Sequence, residues 1–182
     1  MILIVDMNYK KDSLGFDEFV LPLVTVAEKL DNCVVKHFSE ITSEELGSCN
    51  KAMLSGTSLQ DHETLRQVEK FSWVTTWGKP ILGICAGMQT IGLVFGLQLF
   101  ECVEIGMTHV KTLRNNPLFV SEFDVYELHN YSVSASDDFE VLAESGICTQ
   151  AIKRKNSAVY GVLFHPEVRN QDILERFITP KT

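Results

Sequence analysis

A cysteine flanked by glycines is the residue that most directly suggests chemistry in this chain. Cys85 lies between Gly83 and Gly87, after the apolar run 81–84 and before the helix-compatible run 88–95. This spacing predicts a strand, a tight turn with the thiol at its apex, and a helix whose N-terminus favours a thiolate. The segment therefore predicts a nucleophile elbow, although by itself it equally fits a buried, inert cysteine.

A histidine and a glutamate two positions apart supply the partners that a nucleophilic cysteine needs. His165 and Glu167 follow the apolar run 161–164, with Pro166 between them to stiffen the backbone. The histidine can take the thiol proton, and the glutamate can hold the imidazole in the required tautomer. A catalytic Cys-His-Glu arrangement is therefore the interpretation that the two segments favour together.

These two segments, 83–89 and 161–168, resemble the class I glutamine amidotransferases, the triad or G-type glutaminase domains. The resemblance covers nearly the whole chain. Within the family, residues 125–133 are similar to the Met-Ser-His-x-Asp-x-Val segment of the branch that makes GMP. The resemblance implies an α/β fold of flavodoxin-like type, with a mainly parallel central sheet, helices on both faces and a smaller β-rich part. We expect a single domain over residues 1–182.

The family pattern also implies roles for individual residues. Cys85 is the expected nucleophile, His165 the base and Glu167 its orienting partner. The backbone N–H groups of Thr57 and Ala86 are expected to form the oxyanion hole. The residues expected to bind substrate are Gly56, Gln89, His129, Asn130 and Tyr131.

Four departures from the family pattern affect these expectations. Thr57 stands where the family has glycine, and a β-branched residue is costly there if the backbone needs a positive φ. Leu128 and Tyr131 replace a serine and an aspartate, and losing the carboxylate weakens recognition of an ammonium group. The His-Thr loop that follows the triad in the GMP-synthesising branch is missing after Val168.

The remaining pattern predicts the elements that position these residues. Continuous apolar runs near residues 2–5, 33–38 and 51–54 predict strands of a parallel sheet. Helical spacing predicts a surface helix over residues 61–74 and a last helix after position 170. Short strands separated by turn signals predict the β-rich part, at residues 97–103, 123–127, 141–144, 149–153 and 159–164.

Composition limits the class of protein. The chain has 182 residues, 45% of them hydrophobic, which suits one folded domain with a real core. A net charge of −8 does not favour binding to nucleic acid or to an anionic membrane surface. No apolar run is long enough to span a membrane. The five cysteines show no paired spacing, which opposes a disulfide framework or a zinc site and suits a reducing cytoplasm. Glu101 and Glu104 are expected to be solvated charges, and His37, His62 and His109 carry no motif.

The expected function is therefore hydrolysis of the side-chain amide of L-glutamine, with no metal or cofactor. Because the chain carries no nucleotide-binding P-loop, we expect ammonia to pass to a separate ATP-dependent synthetase in a hetero-complex, with GMP synthetase as the candidate partner. Three alternatives stay open. They are a stand-alone γ-glutamyl hydrolase, a non-catalytic binding or regulatory relative, and another acceptor branch such as anthranilate or imidazole glycerol phosphate synthesis.

Overall fold

A nine-stranded mixed sheet is the centre of the molecule in a computed structural model that describes residues 1–134 and 136–180. The strands follow the order β2-β1-β3-β4-β9-β8-β7-β5-β6. Their bounds are β1 Ile2–Asp6, β2 Cys33–His37, β3 Lys51–Leu54, β4 Ile81–Ile84, β5 Leu99–Thr112, β6 Phe123–Val133, β7 Phe139–Glu144, β8 Thr149–Arg154 and β9 Val159–Val162.

The α-helices connect these strands and cover the sheet. They are α1 Leu21–Ala27, α2 Ser43–Ser48, α3 Glu63–Arg66, α4 Ala86–Val94 and α5 Gln171–Ile178. A π-helical turn, Phe16–Val20, leads into α1, and Pro22 lies in the first turn of α1, where its missing N–H costs nothing. The side chain of Thr42 and that of Glu45 form a capping box that starts α2.

One half of the sheet is parallel. Strands β1 to β4 and β9 pair in parallel, and β1, β4 and most of β3 are buried on both faces. Two apolar cores lie on opposite faces of this sheet, one including residues of α1 and α5 and the other residues of α4. The predicted α/β architecture with helices on both faces is confirmed.

The other half is antiparallel, and its strands are longer than the sequence indicated. β5 reaches Thr112 and β6 reaches Val133, because the two strands form one long hairpin that continues beyond the apolar runs. Between Glu101 and Glu104 the register shifts, so that residues 102 and 103 of β5 oppose residue 130 alone. This β-bulge lies beside the candidate site described below.

The prediction of one continuous surface helix over residues 61–74 is wrong, because the segment forms two shorter helices. Gln67 leaves the helical region, with φ −118° and ψ 38°, and divides the segment into α3 and a 3₁₀ helix, Val68–Thr75. Phe71 and Val74 still pack into the core, as the apolar spacing requires. In the part of the chain that the structure describes, no helix combines the length and apolar character needed to cross a membrane.

Candidate active site

The cysteine elbow forms where β4 meets α4. Cys85 adopts φ 48° and ψ −105°, a sparsely populated conformation that typically costs about 1–3 kcal/mol for a residue with a side chain. Its N–H donates to the carbonyl of Val162 at 2.8 Å, which ties the elbow to β9. Pairing of β4 with a strand on each side holds this conformation in place.

The two glycines that flank the elbow are required by close approach. A Cβ placed on Gly83 would lie 2.5 Å from the carbonyl carbon and oxygen of Gly87. A Cβ on Gly87 would lie 2.5 Å from the carbonyl oxygen of Leu54. The turn therefore packs against α4 and β3 more tightly than any side chain permits, as the sequence predicted.

His165 and Glu167 lie just beyond the end of β9 and are both buried. The N–H of His165 donates to the carbonyl of Tyr126 at 2.9 Å, which anchors the loop to β6. The imidazole Nδ1 lies 2.7 Å from the Glu167 carboxylate, so Nδ1 carries the proton and Nε2 is left for another partner.

Cys85 and His165 both contact Gly56. A Cβ built on Gly56 would lie 2.6 Å from Cε1 of His165 and 3.5 Å from Cβ of Cys85. Burial lowers the pKa of His165, but the charges of Glu167 and Cys85 outweigh it and raise that pKa well above 6.5. The thiol, imidazole and carboxylate are thus buried together and the protonated imidazole is favoured. In this arrangement the thiol donates to the carbonyl of Leu128 at 3.5 Å, and Nε2 of His165 has no hydrogen-bond partner among the described residues.

The two expected oxyanion donors border the thiol. Within residues 1–134 and 136–180, neither the Thr57 N–H nor the Ala86 N–H donates to a protein acceptor. Thr57 is not among the described residues with positive φ, so its β-branched side chain causes no backbone strain. Its hydroxyl turns to its own loop and donates to the carbonyl of Asp61 at 3.3 Å.

The pocket over the thiol is narrow, with a free volume of about 10 Å³, roughly the room that one water needs. Two hydrogen bonds join residues that line it and narrow it: Asn130 Nδ2 donates to the carbonyl of Leu59 at 2.9 Å, and Gln89 Nε2 donates to the carbonyl of Tyr131 at 2.9 Å. Its lining includes Thr57, Ser58, Leu59, Asp61, His62, Cys85, Ala86, Gln89, Leu128, His129, Asn130 and Tyr131.

Asp61 and His62 are pocket residues that the sequence did not single out. Asp61 accepts from the N–H groups of Tyr9 at 2.6 Å and Glu63 at 3.1 Å, so its carboxylate is held in one orientation. The ring of His62 packs edge-on against that of Tyr131, 5.6 Å between centroids. Asp61 thus contributes a carboxylate to the pocket lining, and no local motif in the sequence indicates it.

His129 is a different case from the other predicted substrate contacts. Its side chain has no exposed surface; Nδ1 lies 2.9 Å from the carbonyl of Cys102, and Nε2 faces the carboxylates of Glu104 and Glu127. The ring therefore belongs to a buried group that we call the hairpin cluster: Cys102, Glu104, Glu127, His129 and Cys148. The ring is not available to grip a substrate in this arrangement.

The hairpin cluster also corrects the expectation for Glu104. Its side chain is only 9% exposed, and it accepts from the Cys148 thiol at 3.2 Å, so it is not a solvated charge. Burial raises the pKa of the Glu127 carboxyl and of the Cys102 and Cys148 thiols. β-Hairpin pairing creates this environment, because Glu104 and His129 are cross-strand partners.

Comparison with known proteins places this geometry in a family. A model of the class-I glutamine amidotransferases matches residues 23–179. The chain is 33% identical over 152 residues to a glutamine-hydrolyzing GMP synthase subunit of Thermoplasma acidophilum, covering 77% of this chain and 76% of that protein. The chain belongs to the class I glutamine amidotransferase family.

The similar proteins include further members of the GMP synthase group. The corresponding GMP synthase subunit from Methanocaldococcus jannaschii is 39% identical over 109 residues, which are 54% of this chain and 58% of that protein. For this and several other relatives, the matched part is little more than half of the relative's length. These similarities confirm the predicted resemblance to the GMP-synthesising branch of the family.

Solved structures agree on the fold. A crystal structure of a putative GMP synthase subunit protein from Thermoplasma acidophilum superposes with a TM-score of 0.84 at 29% identity, covering 97% of this chain and 91% of that one. A glutamine amidotransferase from Thermotoga maritima superposes with a TM-score of 0.72 over 94% of this chain and 77% of that one. At 19% identity, the second likeness concerns the fold alone.

Proposed function

We propose that this chain hydrolyses the side-chain amide of L-glutamine and passes the ammonia to a separate ATP-dependent synthetase. The observation that carries the proposal is the strained Cys85 at a helix N-terminus, beside an imidazole that Glu167 holds at 2.7 Å. Membership of the class I glutamine amidotransferases and the likeness to glutamine-hydrolyzing GMP synthase subunits support glutamine as the substrate.

The reaction begins with a thiolate and an imidazolium. Sγ of Cys85 attacks the side-chain carbonyl carbon of glutamine, and the N–H groups of Thr57 and Ala86 stabilise the oxyanion. His165 gives its proton to the departing nitrogen, so that the C–N bond breaks and ammonia leaves a thioester on Cys85. Two side chains at the same edge of the sheet therefore carry the whole acylation step.

Release of glutamate returns the site to its starting state. His165, now neutral, takes a proton from water, and the resulting hydroxide attacks the thioester carbonyl. The C–S bond breaks, glutamate leaves and the thiolate is restored beside protonated His165. Glu167 orients the imidazole in both steps and compensates its charge.

We assign substrate recognition to Gln89, Asp61 and Tyr131. The Asp61 carboxylate suits the α-ammonium of glutamine, because its orientation is fixed by two backbone N–H groups. The amide of Gln89, which donates to the carbonyl of Tyr131, can exchange that contact for one to the substrate. Gly56 leaves room for the imidazole of His165, and the hydrogen bond from Asn130 to the carbonyl of Leu59 fixes one wall of the pocket.

An electrophilic glutamine analogue tests this proposal. We expect one adduct per chain by intact mass, lost in Cys85→Ala and suppressed by excess glutamine, whereas Cys33→Ser, a cysteine on β2, should label normally. The adduct should form faster when GMP synthetase is added, and the two chains should co-purify. Labelling that is insensitive to glutamine, or unchanged in Cys85→Ala, would refute the proposed site.

A second candidate function rests on the narrow pocket. A free volume of about 10 Å³ does not accommodate glutamine, and ligand pockets are usually about 300–1,000 Å³. This observation favours a binding or regulatory relative that keeps Cys85 without turnover. No adduct in the presence or absence of synthetase would favour that alternative, whereas turnover without any partner would favour a stand-alone γ-glutamyl hydrolase.

A further inference from the structure

The hairpin cluster has no part in the reaction proposed above, yet it concentrates polar groups in the interior. Cys102 and Glu104 lie on β5, Glu127 and His129 on β6, and Cys148 immediately before β8. Two sets of three ligand atoms, Cys102–Glu104–Cys148 and Glu104–Glu127–His129, each lie within 4.8 Å of one another. Glu104 is common to both sets.

Three polar atoms of this cluster lack hydrogen bonds. Among the described residues, both carboxylate oxygens of Glu127 and Nε2 of His129 have no hydrogen-bond partner, and both side chains are 0% exposed. Nε2 of His129 lies 3.2 Å from Glu127 and 3.4 Å from Glu104. Two buried carboxylates that converge on one imidazole leave negative charge that a cation would compensate.

Within each of the two sets the spacing approaches that of a tetrahedral ion, and the Glu104 carboxylate links the two sets. Bonds of about 2.0 Å to nitrogen or oxygen and about 2.3 Å to sulfur place neighbouring ligand atoms roughly 3.3–3.8 Å apart. Glu104 Oε2 lies 3.4 Å from His129 Nε2 and 3.2 Å from Cys148 Sγ, close to those separations.

Outer contacts hold the shared carboxylate. Gln150 Nε2 donates to Glu104 Oε2 at 2.6 Å, and the hydroxyl of Ser145 donates to the same oxygen at 3.1 Å. His129 Nδ1 donates to the carbonyl of Cys102 at 2.9 Å, which fixes its tautomer and leaves Nε2 free to bind. Such second contacts orient ligands in metal sites.

We propose that the hairpin cluster binds one zinc-class divalent ion through Cys102, Cys148 and Glu104, with His129 turning toward the two thiols to become the fourth ligand when the ion binds. Two thiolates and an imidazole favour zinc over magnesium or calcium, which prefer oxygen ligands. Glu127, next to His129 on the same side, stays outside the shell; because two thiolates and Glu104 already offset the charge of the ion, we expect its buried carboxyl to be neutral. The ion joins β5, β6 and the start of β8.

The site has a consequence for the pocket. His129 directly follows Leu128, whose carbonyl accepts from the Cys85 thiol at 3.5 Å, and directly precedes Asn130, which narrows the pocket. An ion on His129 fixes this part of β6 at the place where the bulge of β5 interrupts the register. The ion is structural, and no step of the proposed hydrolysis passes through it.

The test is titration of reduced, chelator-treated protein with Co²⁺, a spectroscopic substitute for zinc. We expect saturation at one equivalent, tetrahedral d–d bands with a thiolate-to-cobalt charge-transfer band, and loss of both on adding Zn²⁺. Thermal unfolding should move to higher temperature with Zn²⁺, because an ion that binds only the folded state stabilises it. The second measurement needs no variant.

Matched cysteine variants locate the ion. Cys102→Ser and Cys148→Ser should each weaken Co²⁺ binding by more than about 100-fold, beyond the roughly 10–100-fold typical of outer-shell changes. Cys33→Ser and Cys49→Ser should bind normally, and circular dichroism checks that every variant folds. Absence of the bands in reduced wild type, or bands that survive in Cys148→Ser, would overturn the proposal. A Cys102–Cys148 disulfide in air together with no cobalt binding after reduction would instead assign the pair to redox chemistry.

Discussion

The parallel and antiparallel halves of the sheet hold their polar side chains in different ways. In the parallel half, Cys85 and His165 follow the carboxyl ends of β4 and β9 and meet at one edge of the sheet. In the antiparallel half, Glu104 and His129 sit within long strands and meet across a hairpin. Polar residues at the ends of parallel strands come together because of the sheet topology. Polar residues within antiparallel strands come together only when the pairing register places them opposite one another.

This difference divides the site into a part that does chemistry and a part that shapes the pocket. In the proposed reaction, the parallel half supplies the nucleophile, the base and the oxyanion donors. The antiparallel half supplies the wall through Asn130 and Tyr131. Changes at the strand ends should therefore alter kcat, and changes in the wall should alter KM.

The largest effect that separates the halves is expected for Glu167→Gln. The substitution keeps the shape but removes the charge that raises the pKa of His165, so kcat for glutamine hydrolysis should fall by about 10²–10⁴-fold. The alkaline limb of the pH–rate profile should move to lower pH. A steady-state pH profile measures both changes; an unmoved limb would contradict the assigned role of Glu167.

The same pKa shift sets a dependence of stability on pH. Because the folded-state pKa of His165 is raised above 6.5, its contribution to the free energy of unfolding is fully present below about pH 6.5. The contribution is lost as pH rises through the raised value. Urea unfolding of Glu167→Gln should show a smaller loss over that interval than wild type.

A smaller effect is expected for Gly56→Ala. The added Cβ would lie 2.6 Å from Cε1 of His165 and must displace the imidazole. We expect kcat to fall by about 10–100-fold, since a misplacement near 1 Å can cost about 10²-fold. Gly47→Ala is the matched control, because nothing lies within 4 Å of its Cβ position. Equal kinetic constants for the two variants would contradict the prediction that a side chain at position 56 displaces the imidazole of His165.

The wall should respond differently. Asn130→Ala removes the hydrogen bond to the carbonyl of Leu59 that narrows the pocket, a contact worth about 0.5–1.5 kcal/mol. We expect KM for glutamine to fall by about 2–10-fold with kcat nearly unchanged. A rise in KM in steady-state assays would show that Asn130 grips the substrate, as the sequence alone suggested.

The smallest effect is expected for Thr57→Ala. The oxyanion donor is a backbone N–H, and φ at Thr57 is not positive, so alanine fits without strain. We expect kcat to change by less than about threefold, compared with about 10²–10³-fold when an oxyanion donor is lost. A drop of about 10²-fold or more in the hydrolysis assay would mean that the threonine side chain itself aligns the donor.

The contrast between the halves also explains what the sequence could predict. Cys85, His165 and Glu167 each follow an apolar run closely, and a parallel sheet brings such strand ends to one edge, so their proximity needed no knowledge of register. The α/β class and the last helix followed from apolar spacing in the same way. The break at Gln67 could not be predicted in this way. The apolar residues on its two sides keep the spacing of a single continuous helix, so the sequence pattern does not reveal the interruption.

The hairpin cluster could not be predicted from the sequence, for a physical reason. Cys102 and Cys148 are far apart in sequence, and only the pairing of β5 with β6 and the route into β8 brings them together. The pairs Cys102–Glu104 and Glu127–His129 do share the i, i+2 spacing of one strand face. That signal becomes informative only once the two strands are known to pair, which is why the sequence predicts a solvated charge at Glu104.

The narrow pocket has a thermodynamic consequence. When only a fraction of molecules has room for glutamine, the apparent dissociation constant is the intrinsic one divided by that fraction, so one open molecule in about a hundred weakens binding about a hundredfold. A synthetase that binds only open molecules would restore this affinity, and bound glutamine would strengthen its docking by the same factor. On the proposed function, the two hydrogen bonds from Asn130 and Gln89 would therefore couple amide hydrolysis to the presence of an ammonia acceptor.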